Sequence, residues 1–128
     1  MQSSRSCGGS LGFIGSLLML RNSLKALLSS TGLSWGGQNC YFENKVAYTG
    51  ERSPHTLKSM GAKYCLVGHS ERHQIFLESD DLLIKKMSTL LTAGVKPILC
   101  IGESLEEKKS GKTEARLKSQ LQNAAKDL

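Results

Sequence analysis

Apolar and polar positions along this chain follow two rhythms, which predict helices and strands in turn. Leucines three or four positions apart predict helices at residues 23–30, 79–94 and 113–128. Short segments between the helical patterns predict strands at residues 33–39, 63–68 and 96–102. Because helices separate the strands, we expect a parallel sheet with right-handed crossovers, which is the α/β class.

Capping residues indicate where two helices begin. Ser53-Pro54 starts a helix that ends near Gly61, because serine caps a helix and proline fits its first turn. Ser79 opens the next helix, and Gly94 ends it. We expect the apolar residues of the last two helices to be buried, namely Leu83, Met87, Leu90 and Leu91 in one and Leu117, Leu121, Ala124 and Leu128 in the other.

Residues 1–21 do not fit this alternation. They are rich in serine and glycine, and they hold an apolar stretch at residues 11–20 that glycine dilutes and that is too short for a membrane-spanning helix. Three interpretations stay open: an unstructured segment, a targeting peptide for secretion or for an organelle, and native structure. We favour the first, and we therefore place the domain at residues 22–128 and expect residues 1–21 to be disordered.

Composition narrows the class of partner. The net charge is +6, but residues 1–42 carry only Arg5, Arg21 and Lys25 as charged residues, so the rest of the chain is nearly balanced. No basic cluster is interleaved with aromatic residues, and nucleic-acid binding is therefore unsupported. The four cysteines lack metal-ligand spacing, so we expect reduced, structural thiols and no metal.

The segment GHSER at residues 68–72 is the strongest candidate for chemistry. It follows an apolar run at residues 64–67, so His69 lies at the carboxyl end of a predicted strand, where α/β folds place their ligand crevice. We expect Ser70 to cap the following helical turn. The amino end of that turn disfavours an imidazolium, which leaves a neutral His69 as a hydrogen-bond donor. The alternative is a histidine that only caps the short helix.

Four motifs in order resemble segments of the triosephosphate isomerase family. They are QNC at 38–40, AYTGE at 47–51, YCLVGHSERHQIF at 64–76 and PILCIGE at 97–103, and they resemble the family's third strand end, third loop, histidine segment and fifth strand. The resemblance covers residues 22–128 and implies a partial (β/α)8 barrel with about three parallel strands and flanking helices. A complete barrel takes about 250 residues, so we expect only its second to fifth helix here.

The resemblance implies a catalytic role for His69 and an active-site position for three further residues. In the family mechanism the corresponding histidine is a neutral electrophile that polarises the substrate carbonyl and then exchanges protons with the enediolate. Glu71, Ser70 and Asn39 would lie beside it. For Glu71 the alternative is a solvated acidic residue that pairs weakly with its neighbour Arg72.

The resemblance also implies structural roles. Arg72, Cys100 and Glu103 would support the site, and Cys100 would be a core residue and not a catalytic one. Thr49 would lie on a long polar loop that reaches into the second subunit of a homodimer, and the alternative is an exposed loop threonine. His73 stands where the family usually has a second arginine, which would weaken a local salt bridge.

The reaction implied by the resemblance interconverts dihydroxyacetone phosphate and D-glyceraldehyde 3-phosphate in glycolysis and gluconeogenesis, without cofactor or metal. The implied partners are the triose phosphate and, in a homodimer, a second subunit; neither nucleic acid nor a membrane is implied. The implied location is the cytoplasm, with organelle targeting by residues 1–21 as an alternative.

Several parts of the family's machinery are missing from these 128 residues. We find no Asn-x-Lys after a strand and no Glu-Pro-x-Trp, so the substrate-binding lysine and the general base are absent, as are the lid and the Gly-Gly phosphate loops. Abstraction of a proton next to a carbonyl needs a base and an electrophile placed together. We therefore expect a truncated isomerase that is inactive alone. The alternative is a non-catalytic protein that docks on an intact isomerase subunit.

Overall fold

A computed structural model describes residues 2–5, 11–15, 31–44 and 48–125, the first two ranges as backbone. Its described strands form one sheet whose spatial order is the chain order. The strands are β1 (Gln2–Arg5), β2 (Leu11–Gly15), β3 (Ser34–Gly37), β4 (Tyr64–Val67) and β5 (Lys96–Leu99). Neighbours from β2 to β5 are parallel, and β1 is antiparallel to β2.

The three predicted strands are confirmed as β3, β4 and β5, each shorter than the segment that we predicted. Parallel strands laid down in chain order, with helices between them, are what successive β/α units of a barrel produce. Strand β2 adds a fourth parallel strand to this set. The fold is therefore a partial barrel of the predicted α/β class.

The expectation of disorder in the first 21 residues is corrected for residues 2–5 and 11–15. Strand β1 pairs with β2 from Gln2 opposite Ile14, and β2 pairs with β3 from Gly12 opposite Ser34. The side chains of this serine- and glycine-rich stretch do not show a strand pattern, and the strand β2 forms by backbone pairing with β3. The other residues of the segment, and the predicted helix at 23–30, lie outside the described residues.

The described helices lie between and after these strands: α1 (Pro54–Ser59), α2 (Ser70–Gln74), α3 (Asp80–Thr92), α4 (Leu105–Lys109) and α5 (Thr113–Ala125). Both predicted serine caps are confirmed, since the Ser53 and Ser79 hydroxyls accept from the Thr56 and Leu82 amides at 3.1 and 3.4 Å. Helix α4 was not predicted, because five residues are too few to show a helical period.

The hydrophobic core lies between the sheet and helices α1 and α3. Its most buried members are Leu57, Cys65, Val67, Leu90 and Val95. Helix α3 contributes Leu83, Met87 and Leu90, as predicted. Leu91 is 48% exposed, so that part of the prediction is wrong, because Leu91 lies one position beyond the buried face.

The covering of the sheet weakens toward β5. Helix α5 buries only Ala124 among its described side chains, and Leu121 is half exposed, against prediction. Leu128 lies outside the described residues. Ile98 in β5 and Ile101 just after it also remain exposed, since β5 is the last strand of the described sheet and has a neighbour on one side only. No helix within the described ranges has the length and apolar character needed to cross a membrane.

Candidate functional site

A tight glycine turn places His69 directly after β4. Gly68 has a φ of +80°, and a Cβ there would lie 2.7 Å from Leu83 Cδ2 and 3.2 Å from the Cys100 carbonyl oxygen. Only glycine combines this left-handed backbone with so close an approach. The amide of Cys100 donates to the Val67 carbonyl at 2.8 Å, which holds the ends of β4 and β5 together beside the turn.

His69 itself caps helix α2. Its Nδ1 accepts a hydrogen bond from the Glu71 amide at 3.3 Å, so the expectation that Ser70 is the cap is corrected, and Ser70 is the first helical residue. An Nδ1 that accepts carries a lone pair, which puts the proton of a neutral ring on Nε2. The Glu71 carboxylate lies 3.9 Å from Nδ1 and is largely exposed. The geometry therefore provides an imidazole with Nε2–H as its donor.

A cavity of about 370 Å³ lies at the carboxyl ends of β4 and β5, beside this ring. Of the predicted site residues, it brings together His69, Ser70, Cys100 and Glu103. Burial raises the pKa of the Cys100 thiol. A thiol with a raised pKa stays protonated near neutral pH, and it is therefore a poor nucleophile.

Two predicted site residues, Asn39 and Arg72, are half-buried and belong to a polar network centred on the buried Glu78. The carboxylate oxygen Oε1 of Glu78 accepts from Arg72 Nε at 2.8 Å, from Arg72 Nη2 at 2.6 Å and from Lys86 Nζ at 2.7 Å. Lys86 Nζ also donates to Asn39 Oδ1 at 2.8 Å. Asn39 is thus placed by the network that joins the end of β3 to α3.

The two cations keep Glu78 ionised. Burial acts to raise the pKa of Glu78, but the hydrogen bonds from Lys86 and Arg72 and their positive charges outweigh it, so the pKa is lowered. The other carboxylate oxygen, Oε2, is buried without a hydrogen-bond partner among the described residues. Glu78 was missed in the sequence. The available signal was Lys86, whose position on the apolar face of α3 requires a buried partner.

His73 contacts Glu78, as Arg72 does. Its Nδ1 lies 2.8 Å from the Glu78 carbonyl oxygen, which only accepts, so Nδ1 donates. Its Nε2 is buried and has no partner within the described parts of the chain. The Glu78 amide in turn donates to the Arg72 carbonyl at 3.0 Å. The main chain and the side chain of Glu78 therefore both hold α2.

Thr49 lies in an exposed turn and takes no part in this network. The Glu51 amide closes the turn on the Tyr48 carbonyl at 3.0 Å, and the Tyr41 amide donates to the Arg52 carbonyl at 2.8 Å at the base of the loop. The rings of Tyr41 and Tyr48 pack at 4.5 Å between centroids. No group of three or more histidine, cysteine or acidic residues suited to a metal ion occurs within the described ranges.

Comparisons with known proteins agree on one family. The family model described as triosephosphate isomerase matches residues 7–128, which begins before the domain boundary that we predicted at residue 22. The chain is 47% identical over 93 residues to the triosephosphate isomerase of Acidithiobacillus ferrooxidans and 50% identical over 88 residues to that of Syntrophotalea carbinolica. These alignments cover 73% and 69% of the chain.

A solved structure gives the same result. The crystal structure of the triosephosphate isomerase of Bartonella henselae superposes with a TM-score of 0.74 at 36% identity, over 84% of this chain and 46% of that one. The two curated relatives are covered over 36% and 35% of their length, so the chain spans little more than a third of them. The comparisons do not support the alternative of a non-catalytic docking protein.

Proposed function

The chain belongs to the triosephosphate isomerase family, and on that premise we propose that it carries the electrophilic half of an isomerase site, with His69 as the catalytic residue. The observation that carries the proposal is the fixed imidazole at the end of β4, with its Nδ1 occupied by the Glu71 amide. The substrate is a triose phosphate, and the reaction interconverts dihydroxyacetone phosphate and D-glyceraldehyde 3-phosphate.

The chemistry of His69 is hydrogen-bond donation followed by proton exchange. Its Nε2–H donates to the carbonyl oxygen of the substrate, which makes the neighbouring carbon more acidic. When a base removes the carbon-bound proton, the enediolate oxygen takes the Nε2 proton, and the ring later recovers a proton from the other oxygen of the intermediate. The base that starts this sequence is not among these 128 residues, so this chain contributes the electrophile only.

The assembly that we propose is a homodimer in the cytoplasm. The exposed turn around Thr49 supports it, because this turn lies in the segment after β3 and leaves Tyr48 and Thr49 accessible to a second subunit. In a dimer, this loop would reach the second subunit.

The test is a graft of residues 31–125 in place of the matching segment of the Acidithiobacillus ferrooxidans enzyme. We expect the chimaera to isomerise glyceraldehyde 3-phosphate in a coupled assay. Substitution of His69→Gln should lower kcat by about 10²–10⁴-fold, because it removes the acid-base group. The matched control is His55→Gln, which changes an exposed histidine of α1 and should leave kcat unchanged.

The 128-residue chain assayed alone should show no turnover above buffer. Turnover by the chain alone that His69→Gln abolishes would contradict the proposal that it holds half a site. A folded chimaera with equal activity for His69→Gln and His55→Gln would remove His69 from the chemistry.

A further inference from the structure

Helix α2, which carries the proposed catalytic histidine at its amino end, has almost no apolar anchorage. It has five residues, Ser70–Gln74, and none of them is buried. The residues that follow it, Ile75, Phe76 and Leu77, are also exposed. A single helical turn and a half does not form by itself in water, since helix nucleation is unfavourable. Something other than hydrophobic packing therefore holds it.

Four hydrogen bonds to one residue, Glu78, hold α2 in place. The Glu78 carboxylate accepts hydrogen bonds from Nε and Nη2 of Arg72. The Glu78 amide donates to the Arg72 carbonyl, and the Glu78 carbonyl accepts from the His73 ring. Arg72 and His73 both donate their amides to the His69 carbonyl oxygen, at 2.9 and 3.2 Å. The contacts thus lead directly to the main chain of His69.

The other end of this connection lies in the core. Lys86 is 1% exposed on the buried face of α3, and it binds both Glu78 and the side chain of Asn39 after β3. Lys86 therefore fixes Glu78 relative to the sheet and to α3. Charge-assisted bonds of 2.6 and 2.7 Å to a carboxylate that is 4% exposed are strong and directional, so they fix the relative positions of Arg72, Glu78 and Lys86.

We propose that Glu78 is a positioning residue: by tying Arg72 to Lys86, it sets the orientation of α2 and hence the tautomer and direction of the His69 ring. This inference rests on the proposed function of His69. Its physical content is separate, because it concerns how the ring is held and not what the ring does. Without the network, α2 loses its anchorage, the Glu71 amide leaves Nδ1, and the proton of the neutral ring exchanges between the two nitrogens.

The test is nuclear magnetic resonance of the full chain with ¹⁵N-labelled histidine, above the pH range in which the rings titrate. We compare wild type with Glu78→Gln and Arg72→Met. Arg72→Met leaves the buried Glu78–Lys86 pair intact. This variant therefore still tests the proposal if Glu78→Gln fails to fold. The control is Gln74→Ala, which alters an exposed side chain at the other end of the same helix and leaves the capping amide in place.

In wild type and in Gln74→Ala, we expect the His69 signals of a fixed Nε2–H tautomer. In Arg72→Met, and in Glu78→Gln where it folds, these signals should move toward averaged values. Amide exchange of residues 72, 73 and 75 should become about tenfold faster or more, because their anchorage is lost, while amides of α3 keep their protection.

Two results would overturn the proposal. One is Arg72→Met with wild-type His69 signals and wild-type exchange in α2. The other is an equal loss of protection in α2 and α3, which would make the network a general support of the fold. Neither result depends on turnover, so the failure of this inference is distinguishable from an inactive chimaera.

Discussion

Helices α2 and α3 follow one another in the chain, yet different forces hold them. Helix α3 has thirteen residues and buries Leu83, Met87 and Leu90 against the sheet. Helix α2 has five residues, buries none, and is held by hydrogen bonds and ion pairs to Glu78. Packing of apolar side chains is non-directional and tolerates small shifts. The two hydrogen bonds from an arginine side chain to a carboxylate, in contrast, fix distance and angle.

The difference matches what each helix does. Helix α3 covers the core, which needs buried area. Helix α2 presents His69 to a cavity, which needs a fixed orientation beside solvent. Lys86 links the two helices, because it lies on the apolar face of α3 and its Nζ donates to the carboxylate that holds α2. The four predictions that follow separate the apolar anchorage from the polar one.

The largest effect should come from the apolar side. Leu90→Ala removes a fully buried side chain of α3 and leaves a cavity, so the free energy of unfolding should fall by about 2–5 kcal/mol. Leu91→Ala, at the neighbouring exposed position, should change it by less than about 0.5 kcal/mol. Urea unfolding followed by the fluorescence of Trp35 measures both. Equal losses of stability in the two variants would mean that Leu90 is no more buried than Leu91.

Acid should weaken the polar side next. The pKa of Glu78 lies below its ordinary 4.5 in the folded chain, so its contribution to stability is complete above that value and is lost as the pH falls through the lowered one. Protonation leaves Arg72 and Lys86 without their counter-charge. Chemical unfolding at a series of pH values should therefore show stability falling below pH 4.5, and Glu78→Gln should flatten this part of the curve.

Glu107 provides the control for the acid effect. Hydrogen bonds from the Ser104 amide and side chain lower its pKa as well, but it lies at an exposed helix start. The variant Glu107→Gln should keep most of the acid-dependent loss. If Glu107→Gln flattens the curve and Glu78→Gln does not, the acid sensitivity belongs to α4 and not to the anchor of α2.

Removal of one cation should lower the free energy of unfolding less than loss of the Glu78 carboxylate does. Lys86→Met leaves Glu78 paired with Arg72 but takes a donor from Asn39 Oδ1 and from Glu78 Oε1, so we expect a loss of about 1–3 kcal/mol in urea unfolding. Lys85→Met is the neighbouring control on the exposed side of α3. If Lys86→Met has the free energy of unfolding of the wild type, the packing of the methionine replaces the buried charge without loss of stability.

The smallest effect concerns the two helix starts. Ser79→Ala removes the cap of α3 and should cost about 1 kcal/mol. Ser70→Ala should cost less than about 0.5 kcal/mol, because His69 and not Ser70 caps α2. Thermal unfolding of the two single variants is sufficient. A larger loss for Ser70→Ala would restore the cap that the sequence suggested.

Local signals carried much of the prediction. Ser53, Ser79 and Gly94 were read as helix boundaries, and each of them bounds a helix in the structure, because capping depends on a few adjacent residues. The three strands and their parallel arrangement followed from alternation with helices. The turn at Gly68 and His69 was recognised for the same reason, since a strand, a glycine and a polar residue are contiguous in the chain.

Other features could not be read in this way. The strand pairing of residues 11–15 depends on β3, and the cap of α2 depends on the orientation of the His69 ring. Leu91 lies just outside the buried face of α3. Leu121 has the right spacing for burial, but no element among the described residues covers it fully. The role of Glu78 is the clearest case, because its partners lie six and eight positions away along the chain and the network reaches back to Asn39.

The sequence by itself determined the alternation of strands and helices, the helix boundaries at Ser53, Ser79 and Gly94, the position of His69 after β4 and the resemblance to one enzyme family. These depend on residues close together in the chain or on motifs in order. Only the tertiary structure decided which carboxylate holds α2, which nitrogen of His69 carries the cap and where the buried Lys86 ends. The physical reason is that a charge leaves water only where partners from distant segments converge on it, and that convergence exists only in the folded chain.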